Sequence, residues 1–383
     1  MGDFTRRRDR KVQPWSWDSL RYGGSGWWLD AALPRSPVGL LIVAFAIPLA
    51  WVGLAAAIAD DRSALWSTHD IIGQLWFFPL HVICVRALGR LWADRLGPAC
   101  DGLALDERAR RRIRLGALGT WASIGAIVAA AYFVQRDISF GLTPDPTSGL
   151  NPFDDPDMWD FGALGRGVHV MMLALWSLEW LLFGYLLWVQ VWILTVWMRE
   201  LARTDFRPHL DKVLIGDGYS DAFELFSKTA TISLVFALAN LGFIAYTGEL
   251  IPREVVEING VGDFLREMSD LLSTALLFVL SLAAVIVFVK VLRSRLTRAV
   301  AEELAETGDA ALEEIGSAEA AGDAPVDVAR LQSQVRTHGR LLRASVFQRE
   351  VDGIGGRTMA AMMAKASVPL LTTALKLRKL FGL

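Results

Sequence analysis

Apolar residues gather into six long runs, at 37–58, 71–93, 115–134, 167–197, 229–248 and 271–292, and most charged residues lie between them. A helix rising 1.5 Å per residue needs about 20 apolar residues to cross the roughly 30 Å of bilayer hydrocarbon. The pattern therefore predicts an all-α, polytopic membrane protein with six transmembrane helices across residues 37–292.

Beyond residue 292 the apolar run narrows to a stripe. Leu292, Leu296, Val300 and Leu304 hold one face, so span six is expected to continue as a helix into the cytoplasm. Gly308, Gly316, Gly322 and Pro325 are expected to punctuate the chain there, with Asp323 and Pro325 marking the start of a further helix. That helix, to about Glu350, carries Val328, Leu331, Val335, Leu342 and Val346 at three-to-four spacing. Region 293–356 is thus a cytoplasmic helical hairpin within one chain or a coiled coil between subunits.

The distribution of charge sets the orientation. With the N-terminus in the cytoplasm, all but five of the 39 Lys and Arg residues fall inside, the exceptions being Arg62, Arg136, Arg166, Arg253 and Arg266. The positive-inside bias therefore places both termini in the cytoplasm and the protein in the inner (cytoplasmic) membrane. The external segments 59–70, 135–166 and 249–270 are mainly acidic, and they include a cluster at Asp154, Asp155, Asp157 and Asp160. A net charge of -2 conceals this asymmetry, and no nucleic-acid partner is expected.

Both ends of the chain read as interfacial. Residues 1–36 carry Arg6, Arg7, Arg8, Arg10 and Lys11, but no apolar stretch follows before Val38, which is unlike a cleaved signal peptide. Trp15, Trp17, Tyr22, Trp27 and Trp28 suit the headgroup level, so this segment is expected to lie along the cytoplasmic surface. Residues 357–383 combine Ala, Met and Leu with Lys365, Lys376, Arg378 and Lys379. As a seventh span they would bury Lys365 and carry the other three outside, whereas an amphipathic helix on the anionic inner leaflet keeps every charge in water.

Candidate chemistry is sparse and sits within the spans. Span four holds Glu179, the one carboxylate in the apolar core, with Gln190 eleven residues on and almost on the same face at 100° per residue. An ionised group there costs around 3 kcal/mol, so it must face protein or water, or take a proton. Span two offers Gln74 and His81 on a shared face, with His81 at a depth similar to that of Glu179, so the two could meet if their helices are neighbours. Span five adds Thr229, Ser233, Asn240 and Thr247 as a polar stripe, and span six adds Ser273, Thr274 and Ser281. Such stripes either pack helices together or line a path for ions.

Other motifs lack the context their chemistry needs. Gly260-Val261-Gly262-Asp263 repeats the GxGD string of intramembrane aspartyl proteases, yet no second buried carboxylate accompanies it. The acidic cluster lacks EF-hand spacing. Arg108, Arg111 and Arg114 are spaced like a voltage sensor but precede the apolar run of span three, where they act as an anchor. His69 and His169 could ligate haem near the outer face, although no flanking pattern supports it. Cys84 and Cys100 fall near the reducing face, so no disulfide is expected, and neither a metal nor a cofactor is implied.

The sequence therefore points to an oligomeric inner-membrane channel for small ions, cations in particular, since acidic loops concentrate cations at a mouth. The alternative is a membrane scaffold or signalling subunit that meets a cytoplasmic protein through its helical tail. A haem-binding or other membrane enzyme is the third reading.

Overall fold

The computed structural model describes residues 33–34, 36–59, 69–142, 166–210, 213, 218–247, 269–320 and 339. The N-terminal segment before residue 33, the acidic cluster at 154–160, the second cytoplasmic helix and the segment 357–383 lie outside the described residues. Among those residues the elements are helices joined by turns, with no strand. In chain order they are α1 (Pro37–Ile58), α2 (His69–Gly102), α3 (Glu107–Leu118), α4 (Thr120–Leu142) and α5 (Arg166–Trp192), then a π turn (Ile193–Trp197). There follow α6 (Met198–Arg203), a 3-10 turn (Arg207–His209), α7 (Gly218–Thr247) and α8 (Ser269–Ala320).

Among the described residues, five helices are long and apolar enough to cross a membrane, and a sixth crossing results if α3 and α4, bent by 43° at their junction, count as one broken span. The chain is a multi-pass helical membrane protein. It divides into two compact units: one holds the described parts of the chain up to Asp94, Arg111–Val189 and Phe243–Glu267, and the other holds Arg95–Arg110, Gln190–Gly242 and the described residues after Met268.

In the first unit, α1 starts where the sequence provides a cap. Ser36 Oγ accepts the Gly39 N–H at 2.9 Å, and Pro37 follows at the position that tolerates a missing donor. Along α1, Leu41, Phe45 and Leu49 stay exposed, as suits a lipid-facing surface, while Ala44, Trp51 and Ala55 are buried. Close packing of α4 on α5 rests on absent side chains. A Cβ on Gly184 would collide with the Ala126 carbonyl oxygen, and one on Gly125 would enter the Trp188 ring. Deeper on the same contact, Phe133 stacks on Trp180 with ring centroids 4.1 Å apart.

The bend between α3 and α4 frees carbonyls in the last turn of α3, which the interior of a bilayer does not forgive. Two α5 side chains take them. Tyr185 Oη donates to the Ala117 carbonyl at 2.9 Å, and Trp188 Nε1 donates to that of Gly116 at 2.9 Å.

In the second unit, α2 ends in a Schellman turn. The Leu105 N–H donates to Cys100 O at 2.9 Å and the Ala104 N–H to Asp101 O at 3.1 Å, which puts Ala104 in the left-handed region at φ 52°. Asp106 then caps α3 by accepting the Ala109 N–H at 2.6 Å. Arg95 near the end of α2 meets Asp221 at 3.4 Å and Glu224 at 3.2 Å on α7. The unit's core contains Trp197 edge-on to Phe226, which packs in turn on Phe288 of α8.

α8 departs from the sequence expectation. It runs unbroken for 52 residues through Gly308 and Gly316 to Ala320. A glycine in a helix costs about 1 kcal/mol, and the Ala, Glu and Leu residues around these two are strong helix formers that outweigh it. At about 78 Å the helix far exceeds the hydrocarbon, so much of its C-terminal half stands in water or headgroups.

Two stability measurements follow. Gly184→Ala should lower the thermal midpoint of the purified protein in a fixed detergent, at a cost of about 1–3 kcal/mol from overpacking against backbone. Gly97→Ala, where nothing lies within 4 Å of the added Cβ, should be neutral or stabilising. Similar losses in both variants would refute the close approach of α4 and α5. Separately, Ala104→Gly should raise stability by about 1 kcal/mol, because it removes the left-handed penalty of an L-residue. A lowered midpoint would contradict the Schellman geometry.

Candidate functional site

Buried polar residues occur in both units. In the first, α2 carries His81 and α5 carries Glu179, at 3% and 7% exposure. The His81 Nδ1–H donates to the Phe77 carbonyl one turn back at 3.0 Å, and its ring leans on the Phe77 ring. That bond fixes the tautomer, so Nε2 is the acceptor nitrogen when the ring is neutral. Of Gln74, His69 and His169 only the place on their helices is described.

In the second unit the polar residues of three elements meet in pairs. Gln190, at 0% exposure, donates from Nε2 to Ser233 Oγ on α7 at 2.8 Å. Asn240, two turns further along α7, donates from Nδ2 to Thr274 Oγ1 on α8 at 2.5 Å. Thr229 and Ser273 are buried as well. Ser281 is also buried but bonds back to Leu277 O of its own helix at 2.7 Å, which makes it a self-satisfied hydroxyl rather than a link between helices. The sequence stripe on α7 thus separates into two cross-helix contacts, seven residues apart.

The Gln190 contact leaves chemistry to spare. A glutamine amide offers two donors and an acceptor with two lone pairs, and Gln190 Oε1 is buried with no hydrogen-bond partner among the described residues. Since Ser233 can donate as well as accept, the amide could be read in either orientation, and one of its two ends remains available. An available amide acceptor can take a hydrogen bond from water or coordinate a hard cation. No group of three His, Cys, Asp or Glu side chains is placed to hold a metal ion among the described residues. Cys84 and Cys100 are free thiols, and both are buried.

Three residues after Gln190 begins a feature that residue pattern does not announce. The helix widens into the π turn, with the Met198 N–H donating to Ile193 O in an i→i+5 bond. Insertions of this kind recur beside functional side chains, because they rotate the positions that follow relative to those before. The side chains that hold broken backbone, Tyr185 and Trp188, also escape pattern reading, since their apolar rings look like lipid-facing residues.

Comparison with known protein families, curated proteins and solved structures finds no match for this chain. The functional reading accordingly rests on the residues themselves.

The Gln190–Ser233 contact is directly measurable. In a double-mutant cycle on detergent-solubilised protein, Gln190→Ala and Ser233→Ala should show a coupling of about 0.6–2 kcal/mol, the range of buried polar pairs between membrane helices. Strictly additive losses would mean that the two side chains do not meet.

Proposed function

We propose that the protein is an oligomeric channel of the inner membrane that conducts small cations, with both termini in the cytoplasm. The observation that carries this reading is Glu179, a carboxylate at 7% exposure inside an apolar, membrane-length helix. Intramembrane carboxylates are costly to insert, and they recur along ion and proton pathways. Further support comes, separately, from the second unit, where Gln190 keeps one end of its amide available and Ser233 and Thr274 present hydroxyls on α7 and α8. Groups of this kind can replace part of a cation's hydration shell. The acidic external residues Asp154, Asp155, Asp157 and Asp160 would raise the cation concentration at an outer mouth.

A scaffold or signalling subunit is the second reading, favoured by the extension of α8. Its charged turns pair with the segment after α6: Arg207 Nη1 donates to Glu306 at 2.5 Å, and its Nε lies 3.7 Å from Glu302. The hydrogen bond to Glu306 raises the Arg207 pKa above its ordinary value. A rigid charged helix beyond the membrane is a suitable surface for a cytoplasmic protein, and the segment 357–383 would add attachment to anionic lipid.

Flux measurements separate the two. Purified protein in liposomes should pass cations in preference to anions. Glu179→Gln should leave insertion and assembly unchanged while removing the pH dependence of flux that its ionisation imposes, and His81→Ala should alter that dependence. A correctly assembled wild type with no flux, or flux unchanged in both variants, would set the channel aside and leave the scaffold.

A further inference from the structure

A second concentration of polar chemistry lies at the end of the membrane-embedded part of α8. The apolar run 271–292 accounts for about 33 Å of helix, close to the hydrocarbon thickness. Arg295 is three residues further along, about 4.5 Å, and so falls at the level of lipid headgroups. There a cavity of about 420 Å³ opens between the segment Asp205–Arg207 and the Arg295–Glu302 face of α8. Three arginines line it, with buried Phe206 as an apolar wall.

The hydrogen bonding of these arginines is incomplete. Each guanidinium has five N–H donors in a fixed fork. Arg295 Nη2 donates to the Thr204 carbonyl at 2.9 Å, while its Nε is buried and meets no acceptor among the described residues. Arg298 engages Glu302 through Nε at 2.8 Å, and Glu302 is shared with Arg207. The other carboxylate of the lining, Asp205, already accepts the Arg207 backbone N–H at 3.1 Å. Arg207 is taken up further by Glu306, so the guanidinium N–H groups left over belong to Arg295 and Arg298.

We infer that this cavity binds a phosphate group, held between the guanidinium groups of Arg295 and Arg298. Guanidinium forks match phosphate oxygens geometrically, and phosphate supplies the multiple acceptors that the lining lacks. The volume falls within the roughly 300–1,000 Å³ of small-ligand pockets, so the phosphate can carry a glycerol-sized substituent. At this depth a phospholipid headgroup or a free phosphate in the adjacent water could supply it.

The experiment titrates the purified full-length chain in detergent with dioleoylphosphatidylglycerol, with dioleoylglycerol, which lacks phosphate, and with inorganic phosphate, with binding followed by native mass spectrometry and phosphorus NMR line width. Saturable binding of a phosphate-bearing probe is expected, weakened roughly tenfold or more by Arg295→Gln and by a smaller factor in Arg298→Gln, in line with the loss of charge-assisted hydrogen bonds. Phosphatidylglycerol binding alone assigns the site to a lipid headgroup, and binding of inorganic phosphate with the same sensitivity to both variants assigns it to free phosphate. If Arg295→Gln fails to fold, Arg298→Gln decides, because the Arg298 side chain is 70% exposed and its replacement should not disturb folding. Equal binding of dioleoylglycerol and phosphatidylglycerol, or phosphate binding unaffected by the folded variants, overturns the inference.

Discussion

Inside hydrocarbon no water is present to pair a backbone N–H or C=O, and this constraint governs the architecture of the chain. Regular helices satisfy it without help, so the informative places are those where a helix is interrupted. At the α3–α4 bend, the Gly116 and Ala117 carbonyls are taken by Trp188 and Tyr185. Towards the headgroup level the same pairing recurs: after α6 the Thr204 carbonyl is taken by Arg295, and at the end of α2 the Schellman turn pairs the last carbonyls with following N–H groups, even though this puts an alanine in the left-handed region. An unpaired buried carbonyl costs about 1–3 kcal/mol, and each of these three interruptions is matched by a donor.

The same constraint sorts the polar side chains. Hydroxyls can return a bond to their own helix, as Ser177, Thr195, Thr231 and Ser281 do to the carbonyl four residues back. Such residues are self-sufficient and say little about what a helix touches. Amides cannot saturate themselves so easily. Gln190 and Asn240 each reach across to a hydroxyl on another helix, and they specify which faces meet and in what register. A carboxylate such as Glu179 is harder still to accommodate within an apolar helix.

Much of the architecture was legible because membrane insertion depends on simple quantities. The apolar run 37–58 coincides with α1, since Ser36 and Pro37 provide a start signal next to uniform hydropathy. Spans two and five were located but drawn short: α2 and α7 extend to Gly102 and from Gly218, because the ends of a membrane helix continue as amphipathic helix after the apolar signal fades. Span three, expected as one run over 115–134, is instead divided by the bend between α3 and α4. Gly308 and Gly316 misled as breakers, since glycine ends a helix only when tertiary context or a left-handed turn requires it, while the left-handed position that does occur is filled by Ala104. Within the site, periodicity could name Gln190, Ser233 and Asn240 as buried and polar. It could not pair Gln190 with Ser233 or Asn240 with Thr274, because pairing depends on which helices are neighbours, a long-range property absent from any single helix face.

The second unit shows how these links combine. Gln190 ties the end of α5 to α7, Asn240 ties α7 to α8, and Arg207 and Arg295 tie the segment after α6 back to α8. The three connections form a closed circuit around the Trp197, Phe226 and Phe288 core, with the π turn on one side. Apolar packing alone would let such helices slide or rotate at small cost, since one aliphatic surface resembles another in lipid. Directional bonds at separate points along the circuit remove that freedom. Replacing Thr274 or Ser233 would therefore affect uniqueness of register more than the amount of surface buried. A change that lengthens one side, as the π turn does by admitting an extra residue per turn, must be absorbed by the others.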